Sequence, residues 1–200
     1  MTNEEFIVKV LSIAKIGLMY SKDNHALENY AELERIGIEM LDKKSENKIN
    51  RNIFVRDIYP TPNLSVRIMI VDEKDNLLFV KERKEEKWGV PGGWCDLFIS
   101  AKNNALKEVS EEVGLDVEID SLLAIFNREK YRKPKEIMSD YVIYFLAMMP
   151  KNQKVKIGFE VSDAKFMPID NNLELSYNNT KEELLIAWDV YKKDKQVHVD

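Results

Sequence analysis

Residues 91–115 read Pro91-Gly92-Gly93-Trp94-Cys95-Asp96-Leu97-Phe98-Ile99-Ser100-Ala101-Lys102-Asn103-Asn104-Ala105-Leu106-Lys107-Glu108-Val109-Ser110-Glu111-Glu112-Val113-Gly114-Leu115. The stretch is a glycine turn, a short spacer and a helix. Ser100 suits the N-cap and Gly114 the C-terminal stop. Ala105, Leu106, Val109 and Val113 recur at helical spacing and form an apolar stripe for docking on a core. Glu108, Glu111 and Glu112 fall at i, i+3 and i+4, so one helix face stacks three carboxylates. Such a cluster repels itself unless a divalent cation neutralises it, and hard oxygen ligands point to Mg2+, with Mn2+ as the alternative. Glu-rich helices are commonly plain solvated faces. Here the glycines weigh against that reading: of seven in the chain, Gly89, Gly92, Gly93 and Gly114 fall in this one region.

These residues resemble the box of the Nudix hydrolases, G-x5-E-x7-R-E-U-x-E-E-x-G-U, where U is aliphatic. Gly93, Glu108, Val109, Glu111, Glu112, Gly114 and Leu115 fit, while Ile99 replaces the first glutamate and Lys107 the arginine. In the family those two side chains usually pair, so the two departures belong together. The resemblance implies an α/β (α+β) fold, an α/β/α sandwich with a mixed sheet. It also implies hydrolysis of the pyrophosphate bond of a nucleoside diphosphate linked to X, giving a nucleoside monophosphate and phospho-X. Glu108, Glu111, Glu112 and the Gly93 carbonyl are the expected metal ligands. Glu112 is the first choice of general base, with Glu111 in support and Glu160, from a later segment, behind it.

Upstream, Phe6, Val10, Ile13, Gly17 and Tyr20 alternate by four and three, and Thr2 to Glu5 reads as a capping box. Ala26, Tyr30, Leu33, Gly37 and Met40 repeat the rhythm, so residues 1–45 read as a helical hairpin. It is too small to bury its own seam, so it packs on the following domain or on a second copy of the chain, and dimerisation is the favoured role. Residues 46–63, with Pro60 and Pro62, read as a linker, and 64–200 as the catalytic domain. The hairpin narrows the resemblance to the Nudix branch that acts on ADP-ribose or CDP-choline.

From Leu64 the period becomes two: Val66, Ile68 and Ile70 on one face, Ser65, Arg67 and Met69 on the other. A turn at 72–76 and a return strand at 77–80 make a hairpin. Residues 81–87 read as a solvated charged loop in which Lys81 or Arg83 could meet phosphate. Leu115, Val117 and Ile119 alternate, and 122–126 reads as a buried strand. Residues 127–136 read as a long exposed loop offering Arg128, Lys130, Tyr131 and Arg132 to substrate, with Tyr131 equally suited to covering the core edge. Residues 140–146 form another strand. Val155, Ile157, Phe159 and Val161 alternate as a further strand with Glu160 opposed. Thr180 to Glu183 is a capping box opening a last helix with Leu184, Ala187, Trp188 and Tyr191 inward. Trp94, Arg67 and Tyr131 are the candidate substrate contacts.

A net charge of −5 with signs intermixed offers no basic face for long nucleic acid, so a small nucleoside diphosphate derivative is the expected partner. No apolar run reaches membrane-spanning length and no signal peptide opens the chain, which suggests the cytoplasm. Cys95, the only cysteine, excludes an intrachain disulfide and reads as a half-buried small side chain. Two other classes remain open: a silent module that binds a nucleotide and regulates a partner, and a hydrolase of RNA ends.

Overall fold

The computed structural model describes residues 3–42, 62–132, 140–169 and 173–200. The expected linker therefore lies almost wholly outside the described residues, as does Thr2 of the first capping box. The chain divides into two compact units, Met1–Pro60 and Thr61–Asp200.

In the first unit, α1 (Asn3–Tyr20) and α2 (Asn24–Asp42) form the expected hairpin. Asp23 caps α2, its Oδ1 accepting the Ala26 N–H at 2.8 Å. The buried seam is one residue out of step with the expected one. Ile7, Leu11 and Ala14 are buried with Leu41, while Phe6, Ile13, Tyr20 and Met40 are exposed. Close approach selects this register. A Cβ on Gly37 would stand 2.6 Å from Leu11, and one on Gly17 would stand 2.3 Å from the Tyr30 ring. Of the expected stripe, Gly17, Tyr30 and Gly37 lie in the seam, whereas Phe6, Ile13, Tyr20 and Met40 join Ile16, Met19 and Ile36 in a second apolar face that the hairpin leaves exposed.

The second unit is built on one seven-stranded sheet: β1 (Asn63–Val71), β2 (Leu77–Glu82), β3 (Trp88–Gly89), β4 (Ser121–Asn127), β5 (Asp140–Met148), β6 (Val161–Met167) and β7 (His198–Val199). The order is β3-β2-β1-β5-β4-β7, with β6 also paired to β2. β1 runs parallel to β5, whereas β2 runs antiparallel to β1 and to β6, so the sheet is mixed. Helix α3 (Ala101–Val113) covers one face and α4 (Lys181–Lys192) the other.

The alternation of β1 sorts its side chains between the two cores. Val66, Ile68 and Ile70 pack with Ala105, Val109 and Val113 of α3; Met69 and Val71 pack on the side of Leu184, Ala187 and Val190 of α4. A strand buried on both faces also buries Ser65 and Arg67. Ser100 caps α3 through the Asn103 N–H, and Gly114 ends it in the left-handed region (φ 62°), as their positions in sequence suggest. Thr180 and Glu183 complete the capping box of α4.

Three expectations change. Residues 114–120 form no strand, although Leu115 and Val117 are buried against the α3 core. The strand expected around Val155–Val161 begins only at Val161; the residues before it are irregular, with Phe159 90% exposed. The loop expected to be exposed after β4 begins with a 3-10 turn (Arg128–Lys130), and both Arg128 and Arg132 are buried. Alternation in those segments reflects partial contact with the core, and a strand also needs an edge to pair with.

Candidate active site

Residues 91–95 run alongside β1. The Val66 N–H donates to the Gly93 carbonyl and the Ile68 N–H to the Pro91 carbonyl, both at 2.9 Å, and Cys95 N–H reaches the Leu64 carbonyl at 3.0 Å. Gly92 has φ 145°, and a Cβ there would lie 2.1 Å from the Val66 carbonyl oxygen, so only glycine fits. A Cβ on Gly93 would lie 2.6 Å from Glu108 Oε1, so the absent side chain is the room the carboxylate occupies.

The last turns of α3 bring Glu108 and Glu112 to this strip. The Gly92 N–H donates to Glu112 Oε2 at 3.0 Å. Burial pushes the Glu112 carboxyl up to about 8; the Gly92 N–H and Arg67 pull it down, while Glu108 and Glu160 push it further up. Burial raises Glu108 as well. These are two crowded, desolvated carboxylates, the condition a cation would relieve.

Glu111 stands apart. It is exposed and lies 3.4 Å from Lys107 Nζ. Among the described residues no three acidic, histidine or cysteine side chains gather closely enough to hold a metal. Glu108, Glu112 and the second lone pair of the Gly93 carbonyl are the oxygen donors in place, and Glu111 would join them only by turning away from Lys107. Lys107 itself has kept a counter-charge despite Ile99. Asp96, three residues earlier, accepts from it at 3.1 Å. Buried Asn104 holds the spacer, accepting the Asp96 N–H and donating to the Ile99 and Ser100 carbonyls.

Glu160 arrives on a loop that seals the end of α3. Lys156 and Gly158 N–H groups donate to the Val113 and Glu112 carbonyls, each at 2.8 Å, satisfying groups the helix end leaves open. Arg83 grips the other side of the loop, donating to the carbonyls of Phe159 (2.9 Å) and Val161 (2.7 Å).

Arg67, Gly92, Gly93, Trp94, Glu112 and Glu160 thus line one cavity of about 590 Å³, together with Arg83, Arg128, Phe159 and Asn178. That size is usual for a small-molecule site. Trp94 is half exposed at its rim. Tyr131 does not line it: its ring packs edge-on against Phe126 and its hydroxyl donates to Asp200 at 2.8 Å, the core-edge alternative. Lys81, Lys130 and Arg132 are also engaged elsewhere, with Glu86, Asp200 and Asp140. Cys95 is half-buried; burial, with Glu108 and Asp96 adding to it, raises its thiol to about 11, so it is no nucleophile at neutral pH.

Sequence reasoning passed over Asn178 and read Phe159 as a strand residue, whereas Arg83, offered there as a phosphate contact, does line the cavity. No local signal marks Asn178 or Phe159, because neither lies near the glycine turn in sequence.

A mixed sheet between helices, with a glycine strip facing a glutamate-bearing helix end, is the arrangement that the resemblance to the Nudix hydrolases implies. A Nudix domain model matches residues 61–188, and a model described as a UDP-X-like, N-terminal oligomerisation domain matches residues 4–51. The chain belongs to the Nudix family and is a Nudix hydrolase. It is 33% identical over 200 residues to a putative ADP-ribose pyrophosphatase, YjhB, of Bacillus subtilis, covering 96% of this chain and 94% of that protein. The crystal structure of a UDP-X diphosphatase superposes with a TM-score of 0.66 at 26% identity, covering 98% of this chain and 97% of the other. That of an ADP-ribose pyrophosphatase from Streptococcus suis gives 0.61 at 30% identity, covering 70% and 100%. Among the described residues no helix is long and apolar enough to cross a membrane.

Proposed function

We propose that the chain hydrolyses the pyrophosphate bond of a nucleoside diphosphate linked to X, of the ADP-ribose or UDP-X type, in a metal-dependent reaction yielding a nucleoside monophosphate and phospho-X. The CDP-choline type is the alternative substrate. The observation that carries this is the single cavity in which the Glu112 and Glu160 carboxylates face the Gly92-Gly93 strip and the Arg67 guanidinium. The matches to an ADP-ribose pyrophosphatase and a UDP-X diphosphatase support the substrate class.

Nudix hydrolases generally use divalent metals, and Glu108, Glu112 and the Gly93 carbonyl are the residues that would hold one here, Glu111 completing the set. Bound there, such an ion, Mg2+ or Mn2+, supplies charge neutralisation of the diphosphate and a more acidic water. The chain does the rest by positioning, which is most of what phosphoryl transfer requires. The Gly92 N–H fixes one Glu112 oxygen and leaves the other to take a proton from the attacking water. Glu160, brought by its loop to the same cavity, is the second candidate for that role. Trp94 at the rim presents a flat apolar surface to the base of the nucleotide. The uncovered stripe of the hairpin, Phe6, Ile13, Ile16 and Met19, is the surface through which two copies would form a homodimer.

Phosphomonoester release from ADP-ribose, UDP-glucose, CDP-choline and NADH, with Mg2+ or Mn2+, tests the reading on wild type, Glu112→Gln and Glu108→Gln. Metal-dependent turnover of one substrate, lost in both variants, is the expected result. Nucleotide binding without turnover of any of them would make the chain a regulatory module.

A further inference from the structure

The carboxylate wall occupies only part of the cavity. Its floor carries two buried guanidiniums, Arg67 and Arg128, the latter 1% exposed. They converge on one acceptor: Arg67 Nε donates to the Asn178 carbonyl at 3.4 Å, and Arg128 Nη2 donates to the same oxygen. Arg67 Nη1 also donates to the Val66 carbonyl at 2.8 Å. Each guanidinium has five N–H groups, so most remain without a protein acceptor. Arg128 Nε has no hydrogen-bond partner; the nearest carboxylate, Glu183, stands 3.7 Å away, and its Oε1 is likewise without a hydrogen bond.

Two like charges share a buried site: Glu183 stands beside Arg128, with burial pushing it towards its neutral form, and Arg67 meets the fields of Glu108 and Glu112 as well. Arg67 also depresses the ionisation of Arg128, after burial itself. Keeping Arg128 Nε dry without an acceptor is costly. A tetrahedral oxyanion would supply several acceptors at once, and guanidinium forks suit phosphoryl oxygens.

We infer that Arg67 and Arg128 form an anion subsite on the cavity floor that receives a phosphoryl group of the substrate, separate from the carboxylate wall. This rests on the pyrophosphohydrolase reading and extends it: one phosphoryl group lies at the carboxylates while the other is clamped by the arginine pair. The site therefore selects a diphosphate and retains phosphomonoester products.

The test is isothermal titration of the full chain with inorganic phosphate in the presence of a chelator, so that no metal ion can take the phosphate. Wild type is expected to saturate, and Arg67→Met and Arg128→Met to bind roughly ten- to hundredfold more weakly, as expected for losing a buried charge-assisted contact. Wild-type affinity in either folded variant, or no saturable binding by wild type, overturns the subsite. Should Arg128→Met fail to fold because Glu183 is left alone, Arg128→Met combined with Glu183→Leu removes both charges, and Arg67→Met, which breaks no ion pair, decides independently. The titration needs no turnover. Hydrolysis without phosphate binding sinks the subsite and leaves the reaction; phosphate binding without hydrolysis of any diphosphate sinks the reaction and leaves the subsite.

Discussion

Replacing Gly158 with alanine separates the work of the Glu160 loop from that of the helix it covers. The added Cβ would lie 1.8 Å from the Glu111 carbonyl oxygen and 3.2 Å from Glu112 Cα, both backbone atoms of α3 that cannot rotate away. Bringing the shorter separation to the 3.4 Å of ordinary contact lifts the loop by about 1.6 Å. The Gly158 N–H to Glu112 carbonyl bond is lost and the neighbouring Lys156 to Val113 bond is strained. At about 1 kcal/mol each these cost about 1–2 kcal/mol, or roughly 2–8 °C in the melting temperature of a domain this size. The effect on catalysis is larger, because Arg83 ties Phe159 to Val161 and the displacement passes to Glu160. A misplacement of about 1 Å can cost about a hundredfold in rate, so kcat/KM is expected to fall on the order of a hundredfold. Thermal denaturation and steady-state hydrolysis, run on the same preparation, check both halves. A variant with wild-type kcat/KM but a lowered melting temperature would show that the loop only caps α3 and that Glu160 takes no part in the reaction.

Three further outcomes follow from the geometry. Alkylation of Cys95 by iodoacetamide is expected to be slow at pH 7 and to accelerate about tenfold per pH unit until the thiol ionises near 11, because burial favours the protonated form; a rate that levels off below pH 9 would contradict that environment. Arg132→Met leaves Asp140 buried beside a lost partner 3.0 Å away and is expected to destabilise the domain by about 3 kcal/mol in urea denaturation; adding Asp140→Leu should recover most of the loss. Ile13→Glu with Ile16→Glu places charge on the uncovered stripe of the hairpin while Ile7, Leu11 and Ala14 stay packed. Light scattering is expected to show a homodimer become a monomer with its helix content unchanged, and an unchanged mass would place the interface elsewhere.

What could be read in the sequence was set over short range. The caps of α3 and α4 act across three or four residues: Ser100 on Asn103, Thr180 on Glu183, Gly114 on Ser110. The box helix, its apolar face and its Glu108–Glu112 surface were legible for that reason, as were the period of β1 and the turn at Asp72, whose side chain accepts the Lys74 and Asn76 N–H groups. Alternation misled at 155–160, where the segment seals a helix end and pairs with no strand among the described residues.

The remainder was decided where distant segments meet. Two apolar stripes one residue apart run along α1, and only the approach of α2, close at Gly17 and Gly37, determines which is buried. Lys107 finds its counter-charge at Asp96 because the spacer folds back over Asn104. Arg128 reads in sequence as one more cation in a charged loop. A 3-10 turn and the Asn178 carbonyl, fifty residues later, place it beside Arg67 under the cavity. Local sequence specified the helix that carries the glutamates, because caps and periodicity are short-range. The charges those glutamates face were set by tertiary contacts, because burial and electrostatic balance depend on segments far apart in the chain.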